Sequence, residues 1–248
     1  MEYLKLSYKI DAKKPYIFIG SKIRGAFGYA LKEEVCVNPI FKCENCFSAK
    51  ECIFYDFYEA QNTTNNFRLD FKLFSKKYKF SLLLFGEAQK HKSALHNAMM
   101  NSLKEYKNID FKEKVKNLEK KKTVKIIKLS FITPLRMKKK NRFATRDIDL
   151  LDILLSIYKR HRDLKGLDFE RANIDTSYKV VSKHLLYQEL TRRSNKQNTK
   201  MQLGGLMGEM VISNVSKEVY NLLKLGEVIG VGKSTVFGLG KIKIEDVG

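Results

Sequence analysis

The chain has 248 residues, with 48 Lys and Arg against 27 Asp and Glu, giving a net charge of +21. Its 44% hydrophobic content can fill a core and excludes a disordered chain. No apolar run reaches the length of about eighteen residues that a membrane span needs, and the opening MEYLKLSYKI lacks the apolar stretch of a signal peptide, so a soluble, cytoplasmic protein is expected.

The excess charge points to a polyanionic partner. A lysine-rich composition alone would raise the acids alongside the lysines, and here the acids lag, which favours nucleic acid. Basic density peaks in KEKVKNLEKKKTVKIIK at mid-chain, readable as a solvated linker, and in LTRRSNKQNTKMQLGG, which mixes Arg, Ser, Asn and Gln donors suited to phosphates and base edges.

In chain order, Leu4, Leu6, Tyr8 and Ile10 alternate with Lys5, Ser7 and Lys9, the pattern of a strand with one buried face. IGSKIRGAFGYALKEEV follows as an amphipathic helix, with Ile23, Ala26, Phe27, Ala30, Leu31 and Val35 on one face and Lys22, Arg24, Tyr29 and Lys32 on the other. Gly25 and Gly28 interrupt the polar face at a cost of roughly 1 kcal/mol each, so another backbone is expected to approach closely there. All four cysteines then fall in CVNPIFKCENCFSAKEC. The Cys43-x-x-Cys46 spacing suits a tetrahedral metal, and Cys36, Cys43, Cys46 and Cys52 are candidate ligands of a structural zinc, in preference to an iron–sulfur cluster, with unliganded thiols as the alternative.

A strand over Tyr78–Phe85 and a helix over Glu87–Leu103 complete the first half. TVKIIKLSFITPL opens the second half as a strand, and Thr145 is placed to cap a helix reaching about Arg160. Strands near 178–189 and 206–213 precede a helix from Ser216 that is expected to stop at Gly226; the last strand spans Lys241–Ile244. Each half reads as strand-helix-strand-strand-helix-strand, an α+β arrangement with helices on one face of an antiparallel sheet, divided into 1–121 and 122–248.

Between the last helix and strand lies GVGKSTVFGLG. Its GKST invites a phosphate-binding P-loop, but that motif needs a glycine where Glu227 stands, and a helix after Thr235 where loop and strand are expected. An ATPase is set aside on these grounds. The glycines are read instead as a close-approach surface for an RNA backbone, with Lys233 adding charge.

MQLGGLMGEMVI, the TRRSNKQ before it and LLKLGEVIGVGKSTVFGLGKIKI after it resemble the C-terminal domain of the CRISPR-associated endoribonucleases that process repeat RNA, members of the RAMP superfamily. LSFITPLRMK resembles the start of that family's second domain, and GSKIRGAFGYAL with its cysteine segment resembles the N-terminal part. The resemblance implies two tandem ferredoxin-like (RRM-like) domains. It also implies binding of CRISPR repeat RNA and metal-independent cutting by attack of a 2′-hydroxyl on the adjacent phosphate. A CRISPR effector complex is an expected partner, and the chain is expected to be a monomer or homodimer. Family members often place a histidine near the first helix, and this chain has none there. Lys22, Arg24 and Tyr29 are therefore the candidates for phosphate stabilisation and proton transfer, with His184 as the other catalytic candidate. Arg192, Arg193, Ser194, Lys196, Gln197, Lys200, Lys233, Ser234 and Thr235 are the candidates for holding RNA. The missing histidine keeps a second reading open, a non-catalytic RNA-binding RAMP subunit of an effector complex.

Overall fold

The computed structural model describes all residues except 17, 62, 119–123, 140, 169 and 195–198. The chain divides into two compact units, Met1–Asn117 and Leu118–Gly248.

In the first unit, β1 (Glu2–Lys13) leads into α1 (Gly20–Val35), and the short helix α2 (Ile53–Tyr58) follows the cysteine loop. Strands β2 (Phe67–Phe71) and β3 (Lys77–Leu84), a 3₁₀ turn at Gly86–His91, α3 (Lys92–Ser102) and β4 (Ile109–Asn117) complete it. The sheet order is β2-β3-β1-β4, with every pair antiparallel. The alternation of β1 is realised as expected: Leu4, Leu6, Tyr8 and Ile10 are buried, and Ile23, Phe27 and Leu31 of α1 and Leu95 and Met99 of α3 are buried with them. The mid-chain basic run is not simply a linker, because its first part is β4, paired in register with β1 from Glu2↔Asn117 to Ile10↔Ile109. Apolar periodicity is nearly absent in Lys112–Asn117 because the strand lies at the sheet edge and is almost wholly exposed.

The second unit opens with β5 (Ile126–Leu135), followed by a small hairpin of β6 (Lys138–Lys139) and β7 (Arg142–Phe143), then α4 (Leu150–Leu164). Next come β8 (Lys179–Gln188), a second hairpin of β9 (Thr191–Ser194) and β10 (Thr199–Gln202), β11 (Gly205–Ser213), α5 (Lys217–Ile229) and β12 (Ile242–Asp246). The main sheet is β12-β5-β11-β8, again antiparallel throughout. Ile127, Leu129, Met210, Ile212 and Ile242 form its buried face, and Ile153, Leu154 and Ile157 of α4 and Val219 and Leu223 of α5 are buried too. Both units have the strand order of a ferredoxin-like fold, 4-1-3-2 by position within each unit.

Two helix boundaries differ from expectation. The N-cap of α4 is Asp149 and not Thr145: Lys183 holds Asp147 at 2.6 Å and Lys139 holds Asp149 at 2.6 Å, so both carboxylates serve ion pairs and Asp149 makes no side-chain cap bond. The N-cap of α5 is Ser216 as expected, accepting from Val219 N–H at 3.3 Å, but the helix continues through Gly226 to Ile229. Gly226 is a packing glycine, since a Cβ there would lie 2.5 Å from Ile157 Cδ1; the helix stops at Gly230, where φ is +81°.

Candidate nucleic-acid interface

In the second unit the glycine loop and the base of the β9–β10 hairpin meet at the C-terminal end of β5. Val231–Gly240 folds back onto that strand and does not project from it. Lys233 N–H donates to the Arg136 carbonyl at 2.7 Å, Gly240 N–H to Pro134 at 3.0 Å, and Thr133 Oγ1 donates to the Gly238 carbonyl at 2.9 Å. Gly232 N–H donates to Ser156 Oγ on α4 at 3.0 Å. The glycines at 232 and 240 are required because φ is +74° and +67°, and because a Cβ would collide with the carbonyls of Arg136 and Val231. The close approach anticipated for an RNA backbone is thus an approach to the protein's own backbone at these two positions. Lys233 is exposed and Ser234 half-exposed in a left-handed conformation, whereas Thr235 is only 3% exposed and its side chain belongs to the interior.

Arg136 is the hub of this region and was absent from the sequence reading. It is 8% exposed, and its Nη1 donates to the carbonyls of Gln202 at 3.0 Å and Gly204 at 2.9 Å, where the β9–β10 hairpin rejoins the sheet. Burial pushes its guanidinium pKa down from the usual arginine value, and Tyr187 partly offsets this. The neighbouring Gly204 and Gly205 allow that junction, since a Cβ at Gly205 would press on the Leu135 carbonyl at 2.6 Å. The backbone of Arg192, Arg193 and Ser194 lies in β9 and that of Lys200 in β10, with Lys200 paired to Arg193. Lys196 and Gln197 lie outside the described residues.

His184 sits exposed on the edge strand β8, in register with Glu209 of β11. In the first unit, Lys22 and Tyr29 share the exposed face of α1, seven residues and so roughly 10 Å apart along the helix axis. Tyr29 is 68% exposed, and Lys22 Nζ stands 3.7 Å from Glu105. Arg24 departs from them: its guanidinium lies 4.3 Å over the Tyr58 ring, and its carbonyl accepts from the Tyr58 hydroxyl at 2.8 Å. Gly28 serves the same contact, since a Cβ there would come 2.5 Å from Tyr58 Cε1, so a side chain and not a backbone makes the close approach; Gly25 has nothing within 4 Å.

The unit also carries a basic surface that alternation could have revealed. Lys5 and Lys9 of β1, Lys79 of β3 and Lys112, Lys114 and Lys116 of β4 line one open depression of about 380 Å³.

The four cysteines line one small cavity of about 20 Å³ between the end of α1 and the start of α2, all as free, half-buried thiols. Cys46 N–H donates to the Cys43 carbonyl at 3.3 Å across a turn in which Asn45 has φ +54°. Among the described residues, no three His, Cys, Asp or Glu side chains stand together closely enough to hold an ion.

Fold and site together define a tandem ferredoxin-like protein with a basic, hairpin-bearing C-terminal unit. Residues 129–242 match the family model described as CRISPR-associated endoribonuclease Cas6, and residues 1–107 match one described only as an N-terminal domain. Over residues 129–242 the C-terminal unit is therefore similar to the CRISPR-associated endoribonucleases of that family. No curated protein matches the sequence. Among solved structures, the chain is similar to a Cas6 product complex at 18% identity and a TM-score of 0.58, covering 99% of this chain and 100% of that one. It is also similar to Thermus thermophilus Cas6, at 14% identity and a TM-score of 0.58 over 98% of each chain. A Cas6-related protein of Pyrococcus furiosus aligns at 12% identity and a TM-score of 0.51, over 99% of each chain. At these identities the structural likeness establishes the shared two-unit fold. No described helix is long and apolar enough to cross a membrane.

Proposed function

We propose that the chain is an endoribonuclease that binds CRISPR repeat RNA and cuts precursor transcripts into guide RNAs. The family match over residues 129–242 carries this reading, and the net charge of +21 accords with it. The proposed reaction needs no metal. The 2′-hydroxyl loses its proton to a base and attacks the adjacent phosphorus, the P–O5′ bond breaks, and the leaving 5′-oxygen takes up a proton. The products are a 2′,3′-cyclic phosphate and a 5′-hydroxyl.

Lys22 supplies positive charge to the phosphate and Tyr29 a transferable proton, from one exposed face of α1. Arg24 supports that face through its stack on Tyr58. His184 is the alternative proton-transfer group, with an accessible ring on β8. Arg192, Arg193, Ser194, Lys196, Gln197 and Lys200 of the β9–β10 segment, with Lys233 and Ser234, hold the RNA. The four cysteines, which line one cavity, are the proposed donor set that would hold a structural zinc.

A specific observation favours the non-catalytic alternative: α1 carries no histidine, and Arg24 is engaged by Tyr58. The two are separated by incubating the repeat RNA with the protein in EDTA. The nuclease cuts once and leaves a cyclic phosphate, and removal of the proton-transfer group, as Tyr29→Phe or His184→Ala, slows the cut by roughly 10²- to 10⁴-fold. A protein that shifts the RNA in a gel and leaves it whole is the binding subunit.

A further inference from the structure

We infer that the β6–β7 hairpin is a stacking platform for one unpaired RNA base, with the Phe143 ring as its surface and Arg136 as the residue that positions it. The inference rests on the RNA-binding reading above and adds a site and a ligand type to it. Phe143 is 38% exposed at the end of a two-residue strand, where an aromatic ring has no packing reason to stand in solvent. The Arg136 guanidinium lies 4.2 Å from the ring centroid, and Lys138, the register partner of Phe143, places its Nζ at 5.4 Å. A ring already held by a guanidinium, with part of its surface free, can take a base onto that surface, and the flanking cations can meet the phosphates on either side.

Arg136 shows that the arrangement is built and not incidental. A guanidinium this deeply buried is costly unless held, yet no carboxylate pairs with it among the described residues; two carbonyls and the Phe143 ring hold it, and its Nε has no hydrogen-bond partner. Through these contacts it joins three elements. Its side chain fixes the base of the β9–β10 hairpin and the ring of the β6–β7 hairpin, and its carbonyl receives Lys233 N–H from the glycine loop. Lys138, Arg142, Arg146 and Lys233 are exposed nearby along the chain or through these bonds. The neighbouring acids are engaged elsewhere, Asp149 and Asp152 by Lys139 and Asp147 by Lys183. A half-exposed ring among cations fits a nucleobase better than it fits an apolar protein partner.

The test measures binding of labelled repeat RNA by anisotropy over a range of salt, for wild type, Phe143→Leu and Phe143→Trp, with melting temperatures taken in parallel. Phe143→Leu is expected to weaken binding roughly 5- to 100-fold with an unchanged salt slope, because no charge is lost, and Phe143→Trp to restore affinity. 2-Aminopurine walked along the RNA should be quenched at one position by wild type and Phe143→Trp, and not by Phe143→Leu. Leucine binding as well as phenylalanine, or quenching that survives the leucine change, overturns the platform. Should Phe143→Leu lose its fold, the wild type decides alone, since quenching at no position overturns the proposal. Wild type that binds no repeat RNA at any salt defeats the RNA-binding reading itself, a result distinct from loss of the stacking signal alone.

Discussion

At the scale of single residues, spacing shows that a position is unusual, and only the neighbour shows why. Gly25 and Gly28 look equivalent on α1, yet Gly25 faces open space and Gly28 faces Tyr58. Gly25→Ala is therefore expected to stabilise the protein by about 0.5–1 kcal/mol, through the helix preference alone. Gly28→Ala should destabilise it by about 1–3 kcal/mol by forcing the Tyr58 ring away, as measured by urea unfolding. His96 of α3 is half-buried, with its Nδ1 3.2 Å from the buried Tyr8 hydroxyl and its ring 4.0 Å from Phe111. Burial pushes its pKa below the usual imidazole value, against the opposing pull of Glu113, which is itself paired with Lys92. Because the folded pKa is the lower one, the unfolded chain binds more protons near neutrality. Stability is full above the unfolded pKa of about 6.5 and is lost as the pH falls through it to the folded pKa. Thermal melts at pH 7.5 and 5.5 should show this loss, and His96→Gln should reduce it.

At the scale of elements, strong periodicity was legible and short or exposed elements were not. β1, α1, β3 and α5 follow from apolar spacing and the Ser216 cap. β4 was hidden because, beyond Ile109 and Phe111, this edge strand is exposed and carries lysines where a core strand carries leucines. The β6–β7 hairpin was hidden because two residues per strand leave no period to read. The glycine loop was recognised for its unusual backbone, but the agent that needs the glycines is the β5 end at Gly232 and the Val231 carbonyl at Gly240. Its exposed cation is Lys233, so Lys233→Ala should weaken RNA binding a few-fold and lower the salt slope by roughly 0.7–0.9. The cysteine loop exposes Val37, Ile40 and Phe47 and has little core of its own. One zinc per chain by elemental analysis is expected, and Cys43→Ser should lower both zinc content and melting temperature; a metal-free protein with the same melting temperature as the variant would assign the thiols no such role.

At the scale of the whole molecule, the order of elements implied two α+β halves with antiparallel sheets, and the resemblance implied that they are ferredoxin-like; the sheet orders β2-β3-β1-β4 and β12-β5-β11-β8 bear this out. The resemblance was legible in the C-terminal glycine-rich segments, whose glycines are fixed by backbone collisions that allow no substitute: Gly205 against Leu135, Gly208 against His184, Gly240 against Val231. Catalytic residues are less legible because exposed Lys, Tyr and His on a basic protein look alike whether or not they touch a phosphate, and α1 separates Arg24 from Lys22 and Tyr29 by the direction each side chain takes. The reaction itself is tested most directly by single-turnover cleavage of repeat RNA in EDTA, with the 2′-hydroxyl at the nucleotide before the cut either present or replaced by hydrogen. The all-ribose RNA should be cut once and end in a 2′,3′-cyclic phosphate, while the deoxy RNA is bound equally well and left whole; cleavage of the deoxy RNA at an undiminished rate would contradict the account.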